Sequence, residues 1–337
     1  MKTNKLFEVK TLHTKISSKD KTSYVMNDAN IIINKGTSVG IVGESGSGKT
    51  QFLKTISGTQ EMTPGITNGS VTFYLNNKKI TMYDKVISNF KLNKNNKIIK
   101  KDVIGFIPQD PKSFLNPYWS IKQLFKETYN LKKNNFNNLN DFIYEYLSLS
   151  GISEIDTIKD KKPHQLSGGQ AQRIMIALIL SKNPDLIIAD EISTGVDVSR
   201  QKILIESFKK IKIKKPDLTI IFISHDFGFL SHLVDEYYVL YGGFICEHIT
   251  DKNQFKNQQK LHPYTKDLIM SIISKNTISN HDNFSSSLLD KPIKYCPYYN
   301  IKCTKQNCSN KDHFHDSIPP IFNEKGKSEN INLSSNW

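Results

Sequence analysis

A chain of 337 residues with a formal charge of +14 and four cysteines is long enough to bury a full α/β core without disulfide staples. Three of those cysteines crowd near the C-terminus, unlike the framework of a secreted disulfide protein. Arg173 and Arg200 are the two arginines among 46 basic side chains, and the lysines sit among asparagines in stretches such as KLNKNNKIIKK at 91–101, without the interleaved aromatics that stack bases, so the charge does not define a nucleic-acid interface.

The opening, MKTNKLFEVK, lacks the apolar stretch of a secretory leader. The longest apolar run, IMIALIL at 174–180, falls far short of the roughly 20 residues that span a bilayer, and the expectation is a soluble, cytoplasmic chain. Residues 5–42 read as β-rich and end in a strand, SVGIV at 38–42. GSVTFYL at 69–75 and VIGFIPQ at 103–109 read as further strands, with a polar lysine/asparagine insert between them. From about 110 to 182 the pattern turns helical: YWSIKQLFKETYNL and DFIYEYLSLS both place apolar residues at helical spacing. DLIIAD at 185–190 and LTIIFIS at 218–224 are short continuous apolar runs, the pattern of buried parallel strands, separated by the helical stretch SRQKILIESFKKIKI. VDEYYVLYGGFICEHI at 234–249 predicts two strands around a Gly-Gly turn. After LHPYTKDLIMSII at 261–273, a Ser/Asn/Asp-rich stretch reads as a linker before a small Cys/His tail.

GESGSGKT at 43–50 fits G-x-x-x-x-G-K-[ST], follows a predicted strand and runs into a predicted helix. Gly43, Gly46 and Gly48 let the backbone turn so that successive N–H groups converge on phosphate oxygens. Glu44, Ser45, Ser47 and Gln51 complete the candidate phosphate-binding set; Lys49 can reach β- and γ-phosphates, and the Thr50 hydroxyl can ligate Mg²⁺. A glycine-rich turn that binds nothing is the bland reading, and a lysine and threonine in register after a strand argue against it. DLIIADE ends a buried strand in two carboxylates: Asp190 is placed to hold the Mg²⁺ shell, and Glu191 to face an attacking water as general base. A second glycine-rich turn, LSGGQ at 166–170, can open a helix whose N-terminal N–H groups attract phosphate. Its residues Ser167, Gly168, Gly169 and Gln170 would be redundant toward the same nucleotide. A plain serine-capped helix start is the reading of these residues out of context.

Together these motifs resemble the ATP-binding subunits of ABC transporters. GESGSGKT resembles the Walker A loop, Gln109 the Q-loop glutamine, LSGGQ the family signature, DLIIADE Walker B, STGVDVS at 193–199 the D-loop and His225 the switch histidine, all in the family's order over roughly residues 5–275. The resemblance implies an α/β fold: a P-loop NTPase (RecA-like) core, an antiparallel β-subdomain and an ABC helical subdomain at about 110–182, all within residues 1–275. A linker at 276–292 and a C-terminal tail at 293–337 follow. It also implies that two subunits pack head to tail and sandwich ATP between one Walker A loop and the other signature turn. Thr50, Gln109 and Asp190 would surround Mg²⁺, Glu191 would activate water, His225 would contact the γ-phosphate, and Asp197 would help to build the dimer seam. Tyr24 is the candidate adenine-stacking ring, with a packing tyrosine as the alternative. The chain departs from the family's D-E-P-T in Asp190-Glu191-Ile192-Ser193, and from its S/T-A-L-D in Thr194-Gly195-Val196-Asp197.

IPQDPKSFLNPYWSIKQL at 107–124 is similar to the Q-loop region of oligopeptide, dipeptide and nickel importer ATPases, and LHPYTKDLIMSI at 261–272 to their H-P-Y-T element. PHQLSGG at 163–169 favours the D-type subunit. This resemblance implies a peptide-import ATPase, peripheral at the cytoplasmic face of the cell membrane. Its partners would be an F-type second ATPase, two integral-membrane permeases and, indirectly, an extracellular substrate-binding protein, with no nucleic acid. Phe114, Tyr118 and Trp119 would either line the groove that receives a permease helix or pack the helical subdomain. A soluble ABC ATPase acting on ribosomes or nucleic acid is the rival class; such proteins carry two nucleotide domains or a long coiled-coil insertion, and neither is seen. Relatives of the importer type carry a cysteine tail that holds a [4Fe–4S] cluster. Here Cys296, Cys303 and Cys308 stand without a fourth cysteine after them. His313 or His315 would complete a shell for iron–sulfur or zinc, and a metal-free tail is the alternative.

Overall fold

The computed structural model describes residues 4–18, 21–58, 64–76, 78–84, 99, 103–131, 136–255, 261–273, 321–322 and 328–329. The β-rich opening folds into two long antiparallel strands, β1 (Lys5–Ser18) and β2 (Lys21–Asn34), and a short buried strand, β3 (Ser38–Val42). The predicted strand at 69–75 extends as β4 (Pro64–Leu75) and pairs with β5 (Lys78–Asp84), which occupies part of the expected polar insert. Its alternation explains the correction: Met82 is buried against the core and Ile80 packs beside it, while flanking lysines and asparagines dilute the period-two signal. The four strands form an antiparallel sheet in the order β2-β1-β4-β5.

A second, six-stranded sheet has the order β10-β9-β3-β8-β7-β6. β6 (Ile104–Ile107), β7 (Leu186–Asp190), β8 (Thr219–Ile223), β3 and β9 (Glu236–Tyr241) run parallel, and β10 (Phe244–Ile249) returns antiparallel after the predicted Gly-Gly turn. Continuous apolar runs are needed here because both faces are covered. Along β7, Ile187 and Ala189 face one core cluster with the helices, while Leu186 and Ile188 face another with the antiparallel sheet and helix α1 (Lys49–Ile56).

Between β6 and β7 the chain forms α2 (Pro111–Phe114), α3 (Ile121–Leu131), α4 (Leu139–Leu149), α5 (Ile155–Ile158) and α6 (Gly168–Ser181). The helical stretch after β7 is α7 (Val198–Lys214), and α8 (Phe227–Ser231) follows β8. Phe142 on α4 is the hub of the helical layer: the rings of Tyr146, Phe136, Tyr129 and Phe125 lie 4.9, 5.2, 5.4 and 6.2 Å from it, three of them on neighbouring segments. Each such pair contributes about 0.5–1.5 kcal/mol beyond the area it buries. Helix α6 is buried almost all round, from Ala171 to Ser181, between this layer and β6. The H-P-Y-T element opens α9 (Pro263–Ile273). The predicted linker lies outside the described residues. In the tail, β11 (Ile321–Phe322) pairs with β12 (Ser328–Glu329).

Candidate functional site

The loop at 43–50 connects β3 to α1, as its glycines predict. Gly48 adopts φ 104°, and a Cβ there would stand 2.9 Å from the Val25 carbonyl oxygen, so the loop can approach β2 only with glycine at this position. The Gly243 N–H donates to the Ser47 carbonyl (3.0 Å), and the Gly243 carbonyl accepts from the Asn27 N–H (2.9 Å). The β9–β10 turn thereby ties the phosphate loop to the antiparallel sheet. Lys49 is buried, and its ammonium donates to the carbonyls of Gly43 and Glu44, both at 2.7 Å. Burial pulls its pKa down, and the carboxylates of Glu191, Asp190 and Glu44 oppose that shift.

Asp190 closes β7 and Glu191 follows it. Burial, then the neighbouring Glu191 charge, push the Asp190 carboxyl above its usual range, while Lys49 and Lys54 oppose them. Glu191 takes a left-handed conformation (φ 47°), uncommon outside glycine and worth on the order of 1–3 kcal/mol of local strain. It is held there because its N–H donates to the Ile223 carbonyl of β8 (2.9 Å) and its own carbonyl accepts from the Thr194 N–H (3.1 Å). The turn aims the carboxylate so that Oε1 lies 3.9 Å from His225 Nδ1 and Oε2 accepts from the Thr194 hydroxyl (3.3 Å).

Ser45, Gly46, Gly48, Lys49, Thr50, Gln51, Glu191 and Val25 line one cleft of about 230 Å³. Ser47 Oγ and Gln51 Oε1 are buried without a hydrogen-bond partner; the Ser47 hydroxyl can donate, whereas the Gln51 oxygen can only accept. The cleft therefore gathers the glycine-rich loop, Thr50 and Glu191. Val25 was not legible as part of it. Tyr24 lies beside it on β2, opposite Lys15, and the Tyr24 side chain falls outside the described residues. A larger cavity of about 550 Å³ lies between the antiparallel sheet and the β9–β10 hairpin. Glu8, Asp28 and Glu236 line it together with Lys10 and His248, and Lys10 pairs with Glu8 and His248 with Glu236, so it offers no converging set of phosphate donors.

The second glycine-rich turn stays apart from this cleft: none of residues 166–170 is among its lining residues. Ser167 is the exposed N-cap of α6; its hydroxyl accepts from the Gln170 N–H (3.2 Å), and the Gln170 side chain accepts from the Ser167 N–H (3.0 Å). SGGQ is thus a capping box, with Gly168 and Gly169 leaving the helix mouth bare. Farther along α6, buried Gln172 donates to the Ile192 carbonyl at 2.6 Å, joining the signature helix to the turn after Glu191. This contact had no sequence signal. Gln109 is exposed at the end of β6 and does not line the cleft. Asp197 caps α7, accepting from the Arg200 N–H (3.0 Å), and pairs with the Arg200 guanidinium at 3.1 Å. Phe114, Tyr118 and Trp119 are exposed, with Phe114 and Trp119 lining a groove beside α3 and α6. Cys296, Cys303 and Cys308 lie outside the described residues, as do His313 and His315. Among the described residues no cluster of His, Cys, Asp and Glu could hold a metal ion by itself, and no helix is long and apolar enough to cross a membrane.

Residues 26–194 match the family described as ABC transporter. The chain is 35% identical over 272 residues to the oligopeptide transport ATP-binding protein AppD of Bacillus subtilis (strain 168), covering 79% of this chain and 78% of that one. It is also 35% identical over 266 residues to the oligopeptide transport ATP-binding protein OppF of Lactococcus lactis subsp. lactis (strain IL1403), covering 78% and 76%. Among solved structures, the dimeric post-hydrolysis state of the ATP-binding cassette MJ0796 bound to ADP and Pi aligns with a TM-score of 0.60 at 24% identity, covering 73% of this chain and 98% of that one. That likeness is one of fold.

Proposed function

The chain belongs to the ABC transporter family of ATP-binding proteins, and on that premise we propose that it hydrolyses ATP to drive import of oligopeptides or dipeptides, as a D-type subunit paired with an F-type ATPase on two membrane permeases at the cytoplasmic face. The observation that carries this reading is the separation of the two phosphate-binding devices. The cleft with Lys49, Thr50 and Glu191 is assembled within the chain, while the capped signature turn at Ser167 is exposed and absent from it. A donor set that serves no nucleotide of its own is free for a neighbour's. The peptide cargo rests on the relatives named for oligopeptide transport and on the H-P-Y-T and Q-D-P…L-N-P segments.

The residues fit ATP with Mg²⁺. Thr50, Asp190 and Gln109 would offer hard oxygen donors to Mg²⁺, and the buried Ser47 hydroxyl stands unpartnered on the loop. Held by these residues, Mg²⁺ would supply positive charge that offsets the charge developing on the phosphates. Lys49 exchanges its loop carbonyls for phosphate oxygens, and the α1 N-terminus adds its dipole. Glu191 orients and deprotonates the attacking water, steadied by Thr194; His225, 3.9 Å away, completes the contact with the terminal phosphate. Asp197 and Ser167 meet the partner subunit.

Glu191→Gln keeps the shape and removes the base, so turnover should fall about 10²–10⁴-fold while ATP binding persists and an ATP-bound dimer accumulates. Near-normal hydrolysis in that variant would remove Glu191 from its role. For the transport reading, integral-membrane permeases should co-purify with the tagged chain, and ribosomes in their place would overturn it. Elemental analysis for iron and zinc tests the tail cysteines separately; a preparation with neither excludes a metal site there.

A further inference from the structure

The hydroxyl of Tyr264, on the first turn of α9, accepts the Glu44 N–H at 3.0 Å across 220 residues of sequence. That N–H and the Gly43 carbonyl belong to one peptide group, and the carbonyl accepts from Lys49 Nζ at 2.7 Å. Tyr264 and the phosphate lysine therefore grip opposite ends of the same peptide plane. Donation by the N–H polarises the amide and strengthens its carbonyl as an acceptor.

The element that delivers Tyr264 is firmly built. His262 precedes α9, and its Nδ1 accepts from the Tyr264 N–H at 3.2 Å. The carboxylate of Glu247 on β10 accepts from the His262 N–H (3.1 Å to each oxygen) and from the Thr265 hydroxyl (2.5 Å). Glu247, His262, Tyr264 and Thr265 are all buried, and the Tyr264 ring packs on Tyr241 with centroids 4.4 Å apart. Burial drives the phenol pKa upward, so the hydroxyl stays protonated.

We propose that Tyr264 is a positioning residue for nucleotide binding: through the 43–44 peptide it sets where Lys49 rests, so α9 is a working part of the phosphate site. The inference rests on the reading that the loop at 43–50 holds ATP. It does not depend on cargo or partner.

The test compares Tyr264→Phe with Tyr238→Phe in the purified full chain, using a fluorescent ATP analogue with Mg²⁺. Tyr238 is also buried and donates its hydroxyl to the Ile32 carbonyl at 2.9 Å, so its variant loses an equivalent bond away from the loop. Tyr264→Phe should raise Kd in the isolated chain, and KM in the assembled pair, about three- to tenfold, the equivalent of one net hydrogen bond, and leave kcat of the pair within about twofold. Tyr238→Phe should leave Kd unchanged, although both variants melt lower. Equal affinities for Tyr264→Phe and the unmodified chain would overturn the inference, as would equal weakening by Tyr238→Phe. If the unmodified chain did not bind the analogue, the functional reading itself would fall. Should Tyr264→Phe not fold, amide exchange in the unmodified chain decides: a protected Glu44 N–H supports the contact, and exchange at the rate of an unstructured amide refutes it.

Discussion

Adding one methyl group at Gly105 should displace the signature helix. A Cβ on this β6 residue would stand 2.2 Å from Cγ2 of Ile179 on α6, against about 3.5–4.0 Å for an ordinary carbon–carbon contact. Ile179 must then withdraw by about 1.3 Å or more, and such overpacking costs about 1–3 kcal/mol. At about 2–4 °C per kcal/mol for a domain of this size, a 2 kcal/mol loss lowers the melting temperature of Gly105→Ala by about 4–8 °C. Ile179→Ala alone opens a cavity worth about 2–5 kcal/mol, and the methyl introduced by Gly105→Ala would partly fill it. In that background Gly105→Ala should therefore cost almost nothing, giving a coupling of about 1–3 kcal/mol in a double-mutant cycle. Urea melts of the four proteins followed by circular dichroism measure it. If Gly105→Ala costs the same with and without Ile179, the close contact is not what constrains position 105. Because β6 leads to Gln109 and α6 begins at Ser167, the single variant should also hydrolyse ATP more slowly while its binding to the isolated chain is retained.

Asp190→Asn removes a carboxyl held above its ordinary range by burial and by Glu191. The sign follows from the raised pKa: the folded state holds this proton more tightly than the unfolded chain, so stability is lost as pH rises through the folded-state value. At neutral pH the metal-free Asn variant should melt higher than the unmodified chain while losing Mg²⁺-dependent turnover; a lower melting temperature would refute the desolvation argument. Mg²⁺-nucleotide affinity of the unmodified chain should weaken on acidification at a pH above that expected for an ordinary aspartate, and a titration of affinity against pH reads this directly. Ser167→Ala breaks the capping box, at about 0.5–2 kcal/mol of helix stability. It should leave nucleotide binding by the isolated chain intact and depress turnover of the assembled pair, as parallel binding and steady-state assays would show.

The parts of the site that were legible in the sequence are those whose chemistry is local. A phosphate loop is eight consecutive residues, Asp190 and Glu191 end one strand, and Ser167 stands directly before the glycines of its helix, so spacing alone exposes them. The buried strands β3, β7 and β8 were equally plain, because a sheet covered on both faces leaves nothing but apolar residues to read. Contacts made only by tertiary adjacency were opaque. Val25 reaches the cleft because β2 passes behind Gly48, and nothing in KTSYVMND says so. Gln172 looks like one polar residue on an apolar helix until its amide is found on the Ile192 carbonyl. The departures at Ile192 and Gly195 also read differently once folded. Ile192 is buried and supplies the carbonyl that Gln172 needs, Ser193 bonds Ser224 at 3.2 Å, and Asp197 is engaged at the start of α7.

These contacts tie the turn after Asp190 to the helix that Ser167 caps. The ends of β3, β7 and β8 converge, and the backbone at Glu191 is pinned to Ile223 while Ser224 receives the Asp226 N–H at 2.9 Å. Gln172 fastens α6 to the residue after Glu191, and Ser167 caps that same helix. A buried amide bond of this kind leaves a carbonyl stranded if the helix slides, at about 1–3 kcal/mol. In the proposed pair, a partner's phosphate that drew Ser167 toward itself would therefore pull on the turn that holds Glu191. Coupling is reciprocal by thermodynamic necessity, so in that pair the same linkage would bias the Ser167 turn by the state of the Glu191 turn. Two sites served by crossed donors, as proposed, would then close together without any contact between the two nucleotides.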